Sequence, residues 1–336
     1  PLLIALTKND IQKTVEVGSD CFRSSGLNSS HIVIHCLNYN MWAGGYTDHQ
    51  SLETTGATVI PFGVGNSVLL IETIMLIKPT VIHCTPSYLK KLEIILRETF
   101  NKTPKSLGLK LGLFGAEPGL QNPDYRNHLQ ETWGLKAMNA NYGLSDVLSM
   151  FGAECEFQNG LHFFGENTLY PELLDNNSGQ IIPIKEGAKG ELVLTNLCKE
   201  AQPLIRYKTN DIIKILSTGR CECGRSNFRF EVVGRTDDMI KIKGLNVFMS
   251  SIDRIINNNL NYLNGVYQVL VNKNEPVDRI LIKVELKNDI EDLDKFKINF
   301  NDEFMNKIFI KPEIEYLHDG FLPRTEGKTK KLFKIL

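Results

Sequence analysis

Long hydrophobic runs are missing from this chain. Stretches such as SVLLIETIMLI, Ser67 to Ile77, fall short of the ~20 apolar residues a bilayer demands, and Glu72 interrupts this one. A membrane-spanning helix is therefore not expected. An excess of one charge is missing too: 38 Lys and Arg face 39 Asp and Glu, a net charge of -1. Global attraction to nucleic acid or anionic lipid is thereby excluded, with KTKKLFK near the C-terminus as a local exception. Cysteine is sparse. Seven in 336 residues, with no signal-peptide pattern, exclude a secreted disulfide framework and point to reduced thiols or metal ligands in a cytoplasmic protein. No internal repeat or low-complexity tract stands out. The chain also lacks an initiator Met, so further sequence is expected ahead of Pro1.

What is present reads as a folded protein of two domains. Hydrophobic residues make up 42% and charged ones 23%, and 336 residues exceed what one core usually supports. Up to about Tyr142, the short runs HIVIHC, ATVI, TVIH and LKLGLFG read as strands. Helical periodicity separates them, as in PSYLKKLEIILRETF, where Leu89, Leu92, Ile95 and Leu96 share a face. Such alternation predicts a largely parallel sheet covered on both sides. After Tyr142 the texture changes to GLHFF, PELLDNNSGQIIPI, GELVLTNL and DIIKIL, short strands of a compact β subdomain or barrel. From about Thr236 a small α+β unit follows. Its first helix buries Ile252, Ile255, Ile256 and Leu260 and is opened by Ser250 and Asp253 as a capping pair. The fold class is thus α/β plus β, with a large domain over 1–236 and a small one over 237–336.

Four stretches could carry chemistry. YGLSD, Tyr142 to Asp146, offers an aromatic for stacking, a hydroxyl, and a carboxylate suited to magnesium near phosphate; an ordinary turn is the plainer reading. IRYKTNDI ends in Asp211, a carboxylate able to take two sugar hydroxyls, or a solvated loop acid. GRTDDMIKIKGLNVF is either a functional junction or a charged linker, and PRTEGKTKK either a mobile loop carrying Lys328 or a plain basic tail.

Order and spacing say more than each stretch alone. ETTGATVIP, KPTVIHCTPSYL, FGAEP, YGLSD, GELVLTNLCKEAQPLIRYKTNDI, RCECGR, GRTDDMIKIKGLNVF and LPRTEGKTKK together resemble the phenylacetate-CoA ligase family of the adenylate-forming superfamily, across essentially the whole chain. The resemblance implies a ligase that activates a carboxylic acid with ATP and magnesium as an acyl-adenylate, then passes the acyl group to coenzyme A. An aryl-acetic acid such as phenylacetate, or another small acid, is the implied substrate. On this pattern Gly115, Ala116 and Glu117 line the adenine site, Tyr142 stacks on the base with Gly143 beside it, and Ser145 approaches the α-phosphate. Asp146 takes the place of the magnesium-binding acid, where the family normally has Glu. Asp211 holds the ribose with Arg235 nearby, and Asp237 is the hinge of a mobile small domain. Lys328 binds the carboxylate and α-phosphate oxygens, while Lys243 and Gly244 are the coenzyme A contacts. Tyr88 and the MNAN run, with Asn139 and Asn141, border the acid pocket.

The family's phosphate loop, rich in Ser, Thr and Gly, lies just upstream of a segment like PLLIALTKNDI. Little adenylation is therefore expected from these 336 residues alone, and an active ligase if residues precede Pro1. Two alternatives stay open: adenylyl transfer to a deazaflavin coenzyme, and nucleotide binding without turnover. Nucleic-acid binding through the lysine tail is the weakest reading, and a homodimer is left open.

TGRCECGRSNF raises a separate question, because Cys221 and Cys223 stand one residue apart. A disulfide between them would be strained. A zinc ion would need two more ligands, and Cys155 and His162 in ECEFQNGLH form a second local pair, as relatives with the same Cys-x-Cys stretch also carry. The alternative is four unligated side chains. The remaining Cys21, Cys36, Cys84 and Cys198 read as small buried hydrophobes.

Overall fold

Each predicted parallel strand forms, within two residues of its apolar run. The computed structural model describes residues 3–335 except 41, 177, 237, 243–244, 273–276, 278, 289, 291 and 325–329. Helix α1 (Lys8–Ser24) leads to β1 (Ile32–His35), α2 (Ala43–Thr54), β2 (Thr58–Pro61), α3 (Ser67–Ile77), β3 (Val81–Cys84) and α4 (Pro86–Phe100). Then come β4 (Leu111–Gly115), α5 (Pro123–Trp133) and β5 (Lys136–Leu144). These five strands run parallel in the order β2-β1-β3-β4-β5. Helix α4 starts with Pro86 in its first turn, where no N–H is needed, and buries Leu89, Leu92 and Leu96.

The expected β subdomain is a continuation of this sheet. Strands β6 (Leu148–Ala153), β7 (Leu161–Phe163), β8 (Leu169–Leu174), β9 (Ile181–Ile182), β10 (Lys189–Asn196), β11 (Tyr207–Ser217) and β12 (Arg229–Arg235) extend it from β5, in the order β6-β7-β12-β11-β10-β8-β9. The result is one open twelve-stranded sheet with edges at β2 and β9, not a closed barrel. Strand β5 is nine residues long and pairs parallel with β4 and antiparallel with β6, so the change of direction occurs along it. The antiparallel part has its own apolar cluster around Phe151, Phe163, Leu192, Ile213 and Phe230. Arg126 and Glu154 form a buried ion pair at 2.6 Å, with Arg126 also donating to the Leu120 carbonyl. Cys21, Cys36 and Cys84 are buried as expected, but Cys198 is exposed, its thiol turned to the Asn167 carbonyl. It lies just past β10, where the apolar alternation has ended.

The chain divides into two units, chiefly between Val233 and Gly234. In the second, β13 (Met239–Ile242) and β14 (Leu245–Phe248) form a hairpin, and α6 (Met249–Asn258) follows. Strands β15 (Leu263–Val271) and β16 (Ile280–Leu286), helix α7 (Leu293–Ile308), β17 (Glu313–Leu317) and β18 (Leu332–Lys334) complete it, with sheet order β17-β16-β15-β18. All four residues expected on the inner face of α6 are buried. Its predicted cap is not formed: Phe248 is the N-cap residue, without a side-chain cap bond. Asp253 instead accepts from Tyr267 and Lys331, both at 2.6 Å, because the apolar face of α6 carries it inward against β15. Arg324 donates to the buried Glu285 carboxylate of β16. Among the described residues no helix is long and apolar enough to cross a membrane.

Candidate active site and metal-ligand cluster

Two irregularities in the strand pairing build the site. Between Phe114 and Gly115 of β4, the partner strand β5 advances by two, from Asn139 to Asn141, which leaves Ala140 extra. Farther on, β11 advances four residues, Lys208 to Ile212, while β10 advances two, Glu191 to Val193. Bulges of this kind re-aim side chains and are frequent beside active sites. Within the second irregularity Asn210 takes φ 61°, a left-handed conformation that Asn tolerates, and the next residue is Asp211. The outcome is that Tyr142 donates from its hydroxyl to Asp211 Oδ2 at 2.8 Å. Asp211 is 5% exposed, and Tyr142 packs edge-on against Phe151 and Phe230.

The FGAEP turn sits at the carboxyl end of β4, the end of a parallel sheet where ligands bind. Gly115 is required there, since any Cβ would lie 2.5 Å from the Asn141 carbonyl oxygen. Ala116 is held at φ 64°, costly for a residue with a side chain. Glu117 accepts from the Ser87 N–H at 3.2 Å and the Ser87 hydroxyl at 2.9 Å, which fixes the turn against α4. Gly143 approaches the Ser149 backbone so closely that no side chain fits.

Ser145 lines a cleft with Thr47, Ser149, Asn196 and Lys199. Asp146, in the same turn, is held from two sides. Lys199 donates to its carbonyl at 2.7 Å and the Tyr207 hydroxyl to its Oδ2 at 3.3 Å. Its other carboxylate oxygen bonds nothing among the described residues, so one oxygen is free to take a cation. Burial lowers the Lys199 pKa, against the pull of Asp10 and Asp146. Lys199 and Tyr207 were not foreseen as site residues; they stand 53 and 61 positions from Asp146, beyond any local pattern.

Of the remaining expected residues, Arg235 ends β12 and lies 3.9 Å from Asp238. Asp237, Lys243, Gly244 and Lys328 fall outside the described residues. Tyr88 does not border an open pocket: it is 1% exposed, its hydroxyl 3.0 Å from Ser67 Oγ, because α4 turns it into the sheet. Asn139 is likewise buried, whereas Asn141 is half-buried.

The four expected metal ligands converge. The ligand atoms of Cys155, His162, Cys221 and Cys223 all lie within 4.8 Å of one another, three of the residues buried. Cys155 Sγ is 3.9 Å from Cys221 Sγ, and Cys223 Sγ is 3.6 Å from His162 Nε2. Zinc bonded to sulfur at about 2.3 Å and nitrogen at about 2.0 Å gives tetrahedron edges of about 3.5–3.8 Å, so the donor set fits with slight contraction. Gly224, at φ 89°, closes the turn by donating to the Cys221 carbonyl. Burial, aided by Arg225 and Arg229, pushes the His162 pKa down to about 4, which keeps the imidazole neutral as a ligand must be.

Comparison with known proteins bears on all of this. A family profile described as the AMP-binding enzyme C-terminal domain matches residues 244–334. A phenylacetate-coenzyme A ligase of Pseudomonas putida is 31% identical over 98% of this chain and 74% of its own length. One from Escherichia coli is 30% identical over 100% of this chain and 76% of its own. One from Thermus thermophilus is 34% identical over 85% of this chain but 63% of its own. Among solved structures, a 2-hydroxyisobutyryl-CoA ligase in the postadenylation state superposes with a TM-score of 0.89 at 23% identity, covering 99% of this chain and 71% of that one. An anthranilate CoA ligase gives 0.68 at 17%, covering 97% and 62%. Both likenesses establish the α/β fold. With the Pseudomonas and Escherichia relatives matched over nearly the whole chain, the chain belongs to the phenylacetate-CoA ligase family.

Proposed function

We propose that the chain carries out the family's two half-reactions, activating a carboxylic acid with ATP and transferring the acyl group to coenzyme A. The observation that carries this is the Tyr142–Asp211 pair, which two strand bulges bring to 2.8 Å at the ligand-binding end of the sheet. An aromatic face beside a carboxylate already oriented by a hydroxyl is what an adenosine needs, the ring for the base and the acid for both ribose hydroxyls. The Glu117 turn walls the base, and Ser145 faces the α-phosphate. Asp146 would hold the magnesium ion beside the phosphates. The ion supplies charge neutralisation at the phosphates.

In the first step a carboxylate oxygen of the acid bonds to the α-phosphorus as the bond to pyrophosphate breaks. In the second, the coenzyme A thiolate bonds to the acyl carbon and AMP leaves. The first needs a fixed positive charge, the role we assign to Lys328, with Arg235 at the ribose. By family likeness, 1–236 is the large domain and 237–336 the mobile one, with Asp237 the hinge and Lys243 and Gly244 on the thiol side. We read Cys155, His162, Cys221 and Cys223 as a closed zinc site, with no open position for catalysis. A cytoplasmic setting, where thiols stay reduced, suits such a site.

The test, run on the protein with any sequence that precedes Pro1, is a panel of carboxylic acids with ATP and magnesium, following pyrophosphate release with and without coenzyme A. Acid-dependent pyrophosphate and acyl-CoA are expected. AMP formation that no acid stimulates would overturn the reading.

A further inference from the structure

Asp48 has no part in the roles above, yet it is 1% exposed, within α2. Burial pushes its carboxyl above the usual carboxylate range, and a bond from Asn141 only partly offsets this. Its Oδ2 accepts from Asn141 Nδ2 at 2.7 Å. Its Oδ1 is buried with no hydrogen-bond partner. A leucine or methionine would fill such a place more favourably, so the packing of α2 does not account for an acid there.

The partner of this acid is placed where a ligand would meet it. Asn141 pairs in register with Gly115 at the carboxyl end of β4 and directly precedes Tyr142. Its side chain is half-buried and, among the described residues, bonds only Asp48. With the amide N–H turned to Asp48, the amide oxygen is the atom left to accept. Next to Asp48, Thr47 lies 2.8 Å from Ser149 and both line the cleft that holds Ser145. An apolar acyl group packed on Asn141 would strip water from that oxygen and return nothing.

Resting on the ligase reading, we propose that Asn141, oriented by Asp48, determines which acid is used: its amide oxygen accepts a hydrogen bond from the acyl group. The preferred acid carries a hydroxyl or amino donor close to its carboxylate. Asp48 is a positioning residue; without it the amide turns over and offers N–H as readily as oxygen.

Two matched pairs test this: mandelate against phenylacetate, which differ by one hydroxyl, and 2-hydroxyisobutyrate against pivalate, which exchange hydroxyl for methyl. The hydroxyl member of each is expected to show about tenfold higher kcat/KM, the effect of one such bond. Asn141→Leu is expected to abolish that preference while raising kcat/KM for the hydrocarbon member. Asp48→Ala is expected to erode it with the KM for ATP unchanged, and the isosteric Asp48→Asn, whose carbonyl can still accept from Asn141, to restore it; a residue that only supports the fold would move all four acids together. Equal use of both members, or a preference that survives Asn141→Leu, overturns the proposal. If no acid is turned over, the ligase reading falls by itself. Calorimetry of the same pairs with AMP then decides specificity, and equal affinities overturn it.

Discussion

The hydroxyl of Tyr142 and the carboxylate of Asp211 make one unit of the site, although the residues stand 69 positions apart. The phenol holds the acid in one rotamer and adds a donor to it. Tyr142→Phe keeps the stacking face and removes the brace. We expect the KM for ATP to rise about tenfold, the effect of one bond to a charged group, with kcat at saturating ATP little changed. Initial-rate kinetics over an ATP series will show it; a fall in kcat at constant KM would assign the hydroxyl to the chemistry instead. Identity and neighbourhood of such residues differ in how far they can be read ahead. Motif order is what singled out Tyr142, Asp146 and Asp211, and Cys155, His162, Cys221 and Cys223 stood out because Cys and His are rare enough for two short pairs to be noticed. Asp48 was not. It lies in a polar segment, AGGYTDHQ, and nothing local distinguishes a solvated acid from one that the helix turns inward.

Among the elements, α1 shows how a helix terminus organises its surroundings. Thr7 and Asp10 form a capping box, and Asp10 also accepts from the Glu200 and Ala201 N–H groups at 2.7 and 3.0 Å. The cap thereby fixes the loop that carries Lys199, and through Lys199 the Asp146 carbonyl. Burial works to raise the Asp10 pKa, but the N–H bonds from Thr7, Glu200 and Ala201 outweigh it and hold the acid below its ordinary value. A depressed carboxyl stabilises the fold fully above the unfolded pKa, and the contribution fades as pH falls through it toward the folded value. Asp10→Asn should therefore cost about 1 kcal/mol near neutral pH, with the difference from wild type shrinking below about pH 4. Urea midpoints between pH 3 and 7 measure this; a gap that widens in acid would contradict it. Elements themselves were largely legible. Helix α4 matches its sequence span because Pro86 opens it and its leucines recur at helical spacing. The cap of α6 was misread because Asp253 is bound by Tyr267 and Lys331, tertiary partners that no local pattern announces. Of the two forms expected after Tyr142, a β subdomain or a barrel, the open sheet forms, continuous with the parallel half because β5 is long enough to pair on both sides.

At the scale of the molecule, the large unit is one sheet whose antiparallel half brings the four Cys and His side chains together, where a bound metal would cross-link it. Chelation of the purified protein is expected to lower its melting temperature by several degrees, and Cys223→Ser to copy the effect while reducing bound zinc from about one per chain to none. Metal analysis with thermal denaturation decides it, and a metal-free wild type of unchanged stability would return the cluster to four unligated side chains. The cluster also has a place in time. Cys155 and Cys221 are 66 positions apart, so on the zinc reading the shell could close only after β8 through β11 have been synthesised and have folded back. Metal capture is then a late event in folding, and chains starved of zinc during synthesis should accumulate with the parallel half formed and β12 unpaired, exposing an edge prone to aggregation.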